Sequence, residues 1–143
     1  MKKELSIIFI LLFSFTTAAQ GQITWYSLKE GRERAMKERK PMFVDFFYGK
    51  GCPRCEQMEK ELYENPEIAK RIMTDFVPIR IDLTGRLTEE EEALGNLYDF
   101  KHDCLLIILD PEGKPITTKG GIRLCFVDAL RVGDFLRYLE EIK

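Results

Sequence analysis

Cys52 and Cys55, two residues apart in the run Gly51-Cys52-Pro53-Arg54-Cys55, are the side chains of this chain best suited to chemistry. A thiolate at one cysteine can attack a disulfide in another molecule, and a second thiol one helical turn away can then attack the mixed disulfide that results. The pattern asks for a thiolate at Cys52 and places Cys55 to resolve. Pro53 fits the first position of a helix, where its fixed φ is already helical and its missing N–H would have had no partner. A helix beginning there lends its unpaired N–H groups and its dipole to Cys52. Such sites bring a cysteine from about 8.5 into the range of about 3.5–7.5. The same spacing is also half of a zinc site, but zinc knuckles carry a second ligand pair at regular spacing. The other two of the four cysteines, Cys104 and Cys125, are far-downstream singletons.

Positioning the pair requires a rigid support on one side and a helix on the other. The apolar run Met42-Phe43-Val44-Asp45-Phe46-Phe47 supplies a buried strand, and the polar stretch from Glu56 to Tyr63 reads as the helix. Upstream, Ile23-Thr24-Trp25-Tyr26 reads as a short leading strand. Ser27-Leu28-Lys29-Glu30 has the capping-box spacing that starts a helix, and Pro41 ends it near Arg39. Downstream, Asn65-Pro66 caps a short helix through Ile68, Ile72 and Met73. The run from Phe76 to Asp82 alternates as a strand in which Pro78, lacking a donor, marks an edge or bulge. Thr88-Glu89-Glu90-Glu91 is a second capping box, and its acidic run is the solvated first turn of a helix bearing Leu94, Leu97 and Tyr98. Leu105 to Leu109 is a continuous apolar strand. Asp110-Pro111-Glu112-Gly113 turns it toward a partner at Ile116-Thr117-Thr118, and Phe135, Leu136, Leu139 and Ile142 fall at helical spacing. This order predicts an α/β domain with a central mixed sheet and helices on both faces.

The first residues read differently. Lys2 and Lys3 precede an apolar run from Leu5 to Phe15, interrupted by Ser6 and Ser14, and Thr16-Thr17-Ala18-Ala19 offers small residues for cleavage. This is the pattern of a secretory signal peptide over residues 1–19, too short for a comfortable membrane span, leaving a single domain over 20–143. An uncleaved anchor is the competing reading. Of 143 residues, 45% are hydrophobic and 32% charged, enough apolar material for one core. Loss of Lys2, Lys3 and Glu4 takes the formal charge from −2 to −3, and no basic patch interleaved with aromatics appears, so nucleic acid is excluded as a partner class. Export places the cysteines where disulfides persist.

In this order, Lys40-Pro41, Val44-Asp45-Phe46, Cys52-Pro53-Arg54-Cys55 and the hairpin from Leu109 to Lys114 resemble the thioredoxin superfamily, in its exported members, from Trp25 to Lys143. The resemblance implies the thioredoxin fold and thiol–disulfide exchange with protein dithiols or disulfides. It implies no bound cofactor, no membrane span in the mature form, a monomer, and a membrane redox partner as a further candidate. By similarity Cys52 is the exposed nucleophile and Cys55 the buried resolving thiol. Asp45 stands at the family's buried carboxylate, which assists deprotonation of the resolving cysteine; the alternative is a strand carboxylate satisfied by local hydrogen bonds. Arg54 adds a cation beside both sulfurs. Cys-Pro-basic-Cys resembles periplasmic disulfide-forming enzymes, which implies a less reducing couple than thioredoxin's.

Three departures from the family pattern stand out. The segment between Asp45 and Cys52 is one residue longer than usual, Gly51 replaces a tryptophan, and Cys104 falls where the family has a cis-proline. The Asp103–Cys104 bond is then either trans with a reshaped loop or cis at a cost of about 2.5–4 kcal/mol. The family's substrate groove maps onto Tyr48, Asp103, Cys104 and Gly121. Cys104 reads as a core thiol, as an alternative redox partner, or as the third ligand of a Cu(I) or Zn(II) site with Cys52 and Cys55, near His102. Its pairing with Cys125 is left open. Two functions thus compete with the oxidoreductase: a metal-binding or delivery module, and an interaction domain without turnover.

Overall fold

The computed structural model describes residues 22–98, 106–117 and 131–142. Residues 1–19, His102, Asp103, Cys104, Gly121 and Cys125 lie outside the described residues. Helix α1, Leu28–Glu38, begins at Ser27, whose hydroxyl accepts from the Glu30 N–H while the Glu30 carboxylate accepts from the Ser27 N–H, the expected capping box. It ends where Arg39 turns left-handed at φ 53°, two residues before Pro41. Strand β1, Met42–Phe47, is followed by α2, Pro53–Met58, and by a π-helical segment, Glu59–Tyr63, that continues it. Asn65 caps α3, Pro66–Asp75, with its side-chain oxygen accepting from the Glu67 and Ile68 N–H groups. Strand β2, Val77–Asp82, precedes α4, Glu89–Leu97, which carries the second capping box at Thr88 and Glu91. Strands β3, Leu106–Leu109, and β4, Pro115–Ile116, form the hairpin, and α5, Val132–Glu141, closes the described chain.

The sheet order is β2-β1-β3-β4, with β1 parallel to β2 and antiparallel to β3. It is the mixed sheet expected. The leading strand is a correction: only Tyr26 pairs, as a single parallel bridge to Ile79. Pro78 is accommodated as its chemistry requires. Its carbonyl accepts from the Tyr26 N–H at 3.0 Å, so its nitrogen also faces outward, away from β1. Val77 and Leu83, whose N–H groups face the β1 side, bond to Pro41 and Phe47.

Alternation along β1 divides the core. Met42, Val44 and Phe46 pack with Leu28 and Ala35 of α1 and with Leu94 on one face. Phe43, on the other, meets Leu62 and Tyr63 of the π segment, Ile68 and Ile72 of α3, and Phe135 and Leu139 of α5. Each fully buried aliphatic or aromatic side chain contributes about 1.5–3 kcal/mol. All four residues of β3 are buried, which accounts for its unbroken apolar sequence.

Candidate active site

Cys52 is the N-cap of α2, with Pro53 at the first helical position, and its sulfur accepts from the Cys55 N–H at 3.2 Å. The two cysteines are joined as a disulfide, with their Cα atoms 5.3 Å apart. Cys52 is half-buried. Cys55 is buried and packs into the cluster that contains Val44 and Phe46. Cys52 is thus the outer sulfur and Cys55 the inner one, although Cys52 is half-buried where the resemblance implied an exposed thiol, and Arg54 is half-buried between them in the chain.

The loop that presents the pair explains one of the departures, the glycine at 51. Gly49 and Gly51 have φ of 75° and 95°, a region that L-residues with side chains adopt only with strain. A tryptophan at 51 would be held in that conformation, whereas glycine takes it freely. A Cβ at Gly49 would lie 2.7 Å from the Thr84 methyl, so this turn also packs closely on the loop after β2. Glu56 reaches back from the first turn of α2 to accept the Gly51 N–H at 2.9 Å, fixing the residue that precedes Cys52. Tyr48, expected in the groove, is half-buried beside the same cluster.

Asp45 is the buried charged side chain of the described core. Its Oδ1 accepts from the Tyr63 hydroxyl at 3.0 Å and its Oδ2 from Arg80 Nε at 2.8 Å. Among the described residues its hydrogen bonds run to these two and not to Cys55. Burial pushes Asp45 up to about 6, against the pull of the Arg80 charge and the two hydrogen bonds; the nearby charge of Glu59 adds to the rise. Burial, then the charge of Asp45, drives the Tyr63 hydroxyl well above its ordinary range, so it remains a donor. Burial opposes the charge on Arg80, but the Asp45 and Glu59 carboxylates outweigh it and hold the guanidinium above its ordinary value.

Arg80 also donates Nη2 to Glu59 Oε2 at 2.7 Å. Its guanidinium lies 4.1 Å from the ring centre of Trp25 and 4.5 Å from that of Phe47, so cation–π contacts hold it in place. Trp25, Glu59, Tyr63 and Arg80 line a cavity of about 620 Å³. Sequence reasoning missed Arg80, Tyr63 and Glu59. Their signal was the spacing Cys55, Glu59, Tyr63, four residues apart along one helix, and an arginine between the apolar Ile79 and Ile81 in the middle of a strand. Among the described residues no group of three metal-ligating side chains forms, and Cys104 lies outside them.

Residues 24–111 match the family profile described as thioredoxin-like. Spermatogenesis-associated protein 20 of Homo sapiens is 35% identical over 69 residues, 48% of this chain and 9% of that protein. The matched segment is about a tenth of the length of the curated relatives. Among solved structures, a DsbH oxidoreductase aligns over 99% of this chain and 94% of its own with a TM-score of 0.66 at 16% identity. A disulphide isomerase from Xylella fastidiosa Temecula1 aligns over 80% and 86% with a TM-score of 0.60 at 20% identity. With the profile running from the residues before α1 through β1, the cysteine pair and β3, the chain belongs to the thioredoxin-like family.

Proposed function

We propose that this protein is an exported thiol–disulfide oxidoreductase that exchanges disulfides with protein substrates. The observation that carries the reading is the Cys52–Cys55 disulfide at the start of α2, with the first sulfur half-buried and the second in the core. In the reducing direction the Cys52 thiolate attacks a substrate disulfide. One substrate sulfur leaves as a thiolate and takes a proton, and the other is held to Cys52. The Cys55 thiol gives up its proton and attacks Cys52, which releases the second substrate thiol and restores the Cys52–Cys55 disulfide. Two electrons pass to the substrate, and the reverse sequence oxidises a dithiol. Asp45 serves as the proton acceptor for Cys55: a carboxylate with a value of about 6 is both ionised and basic near neutrality. Export rests on the basic residues and apolar run ahead of Ala19, and the mature domain works as a monomer. The names of the solved relatives, an oxidoreductase and a disulphide isomerase, support the reaction class.

Cys52→Ser is expected to abolish reduction of insulin and oxidation of a dithiol peptide. Cys55→Ser is expected to accumulate a mixed disulfide, visible by mass on a non-reducing gel. Full activity in Cys52→Ser overturns the mechanism.

A further inference from the structure

Charge counting singles out Glu59. Asp45 and Glu59 share one cation, each bonded to a different nitrogen of Arg80 at 2.8 and 2.7 Å. Their surroundings differ: the Asp45 side chain is 5% exposed, while that of Glu59 is 38% exposed and lines the cavity beside Trp25 and Tyr63. A guanidinium keeps its proton, so Arg80 contributes one fixed positive charge. With Glu59 ionised, Arg80 is already balanced. Protonated Asp45 then leaves the cluster neutral, and ionised Asp45 leaves it with one uncompensated negative charge. Without Glu59 the order reverses, and ionised Asp45 with Arg80 becomes the neutral state. Burial favours the neutral arrangement. The groups that face Asp45 are Arg80 from β2 and Tyr63 and Glu59 from the π segment. Arg80 cannot resolve the competition by swinging away, because Trp25 and Phe47 hold its plane.

We propose that Glu59 is a positioning residue for Asp45 that acts through Arg80, keeping the cation shared so that the buried carboxylate remains basic enough to take the Cys55 proton. The inference rests on the exchange reaction proposed above. The step balances: as Cys55 becomes a thiolate its proton passes to Asp45, and in the reverse direction Asp45 returns it.

The π segment makes Glu59 available for this. Glu59 and Tyr63 are its first and last residues, and both turn toward Asp45 and Arg80 while Leu62 faces the core. Single π turns inside helices recur at functional sites.

The test is a carbon-13 NMR titration of the Asp45 carboxyl in the oxidised protein, with the Arg80 Nε–H resonance followed in the same samples. Because Glu59 reaches solvent, Glu59→Gln is expected to fold. In Glu59→Gln the Asp45 midpoint is expected to fall by at least about half a unit, and the Arg80 Nε–H resonance to move downfield as its bond to Asp45 shortens. Glu59→Asp, which keeps a carboxylate, should recover most of the wild-type midpoint. In single-turnover assays the resolution of a preformed mixed disulfide at Cys52 should lose about two- to fivefold at its plateau in Glu59→Gln, with its acid limb moved to lower pH. An unmoved Asp45 midpoint overturns the proposal, and so does a moved midpoint with an unchanged Arg80 resonance. So does a resolution rate that ignores the midpoint. Inactivity of the wild-type protein in the Cys52-dependent assays would instead overturn the exchange reaction itself, a separate result.

Discussion

Asp45 and Arg80 stand opposite each other in the parallel register of β1 and β2, and their side chains meet on the same face at 2.8 Å. The pairing is cross-strand, so the backbone ladder that joins the strands also fixes the distance between carboxylate and guanidinium. An ion pair this deep gains its Coulomb attraction against a large desolvation cost, and the balance still leaves Asp45 raised to about 6.

A pH dependence of stability follows. Between its ordinary value near 3.8 and about 6, Asp45 binds more protons folded than unfolded. The Asp45 contribution is therefore most favourable at low pH and is lost as pH rises through about 6, up to about 3 kcal/mol in all. Denaturation midpoints followed by circular dichroism between pH 4 and 7.5 should show this slope. Asp45→Asn should flatten it, and an unchanged slope in that variant assigns the titration to another group.

Tyr63→Phe removes the donor that bonds Asp45 Oδ1 and leaves the ring packed against Trp25 and Phe43. Loss of a hydrogen bond to the ionised form should raise the Asp45 midpoint, opposite in sign to Glu59→Gln. The fold should lose about 1–2 kcal/mol, read by urea denaturation. A midpoint that falls contradicts the geometry.

Glu56 accepts the Gly51 N–H, which places a carboxylate beside the residue preceding Cys52. Glu56→Gln preserves an acceptor and removes the charge. Iodoacetamide should then alkylate reduced Cys52 about two- to threefold faster at pH 6, because a nearby anion no longer opposes the thiolate. A slower reaction would show that the anchoring of the loop outweighs the charge.

The two loop glycines should not be equally replaceable. Gly51→Ala meets an unfavourable φ but open space, and should cost about 1 kcal/mol. Gly49→Ala meets an unfavourable φ and the Thr84 side chain as well, and should cost about 2–3 kcal/mol. Chemical denaturation of the two variants gives the comparison, and equal losses would count against the contact with Thr84.

What could be read in advance was local chemistry. Ser27 with Glu30, Thr88 with Glu91, and Asn65 with Pro66 each start a helix where the structure starts one, because a cap is decided within four residues. Cys52-Pro53 gave the start of α2 for the same reason. The Asp45 cluster was not readable in this way. Arg80 lies 35 residues from Asp45 in the chain, and only the register of β1 against β2 brings them together. The π turn at Glu59–Tyr63 escapes a search tuned to 3.6 residues per turn. Tyr26 was over-read as the end of a strand: apolar and β-prone residues surround it, but one bridge is all that forms.

Pro78 has a consequence beyond its fit in β2. Its carbonyl faces outward to Tyr26, while the position beside it has no hydrogen to donate. Tyr26 takes the outward groups on either side of this gap, its N–H on the Pro78 carbonyl and its carbonyl on the Arg80 N–H, so a foreign extended segment arriving there would find no continuous row to pair with. This flank of the sheet is thereby kept from templating edge-to-edge aggregation.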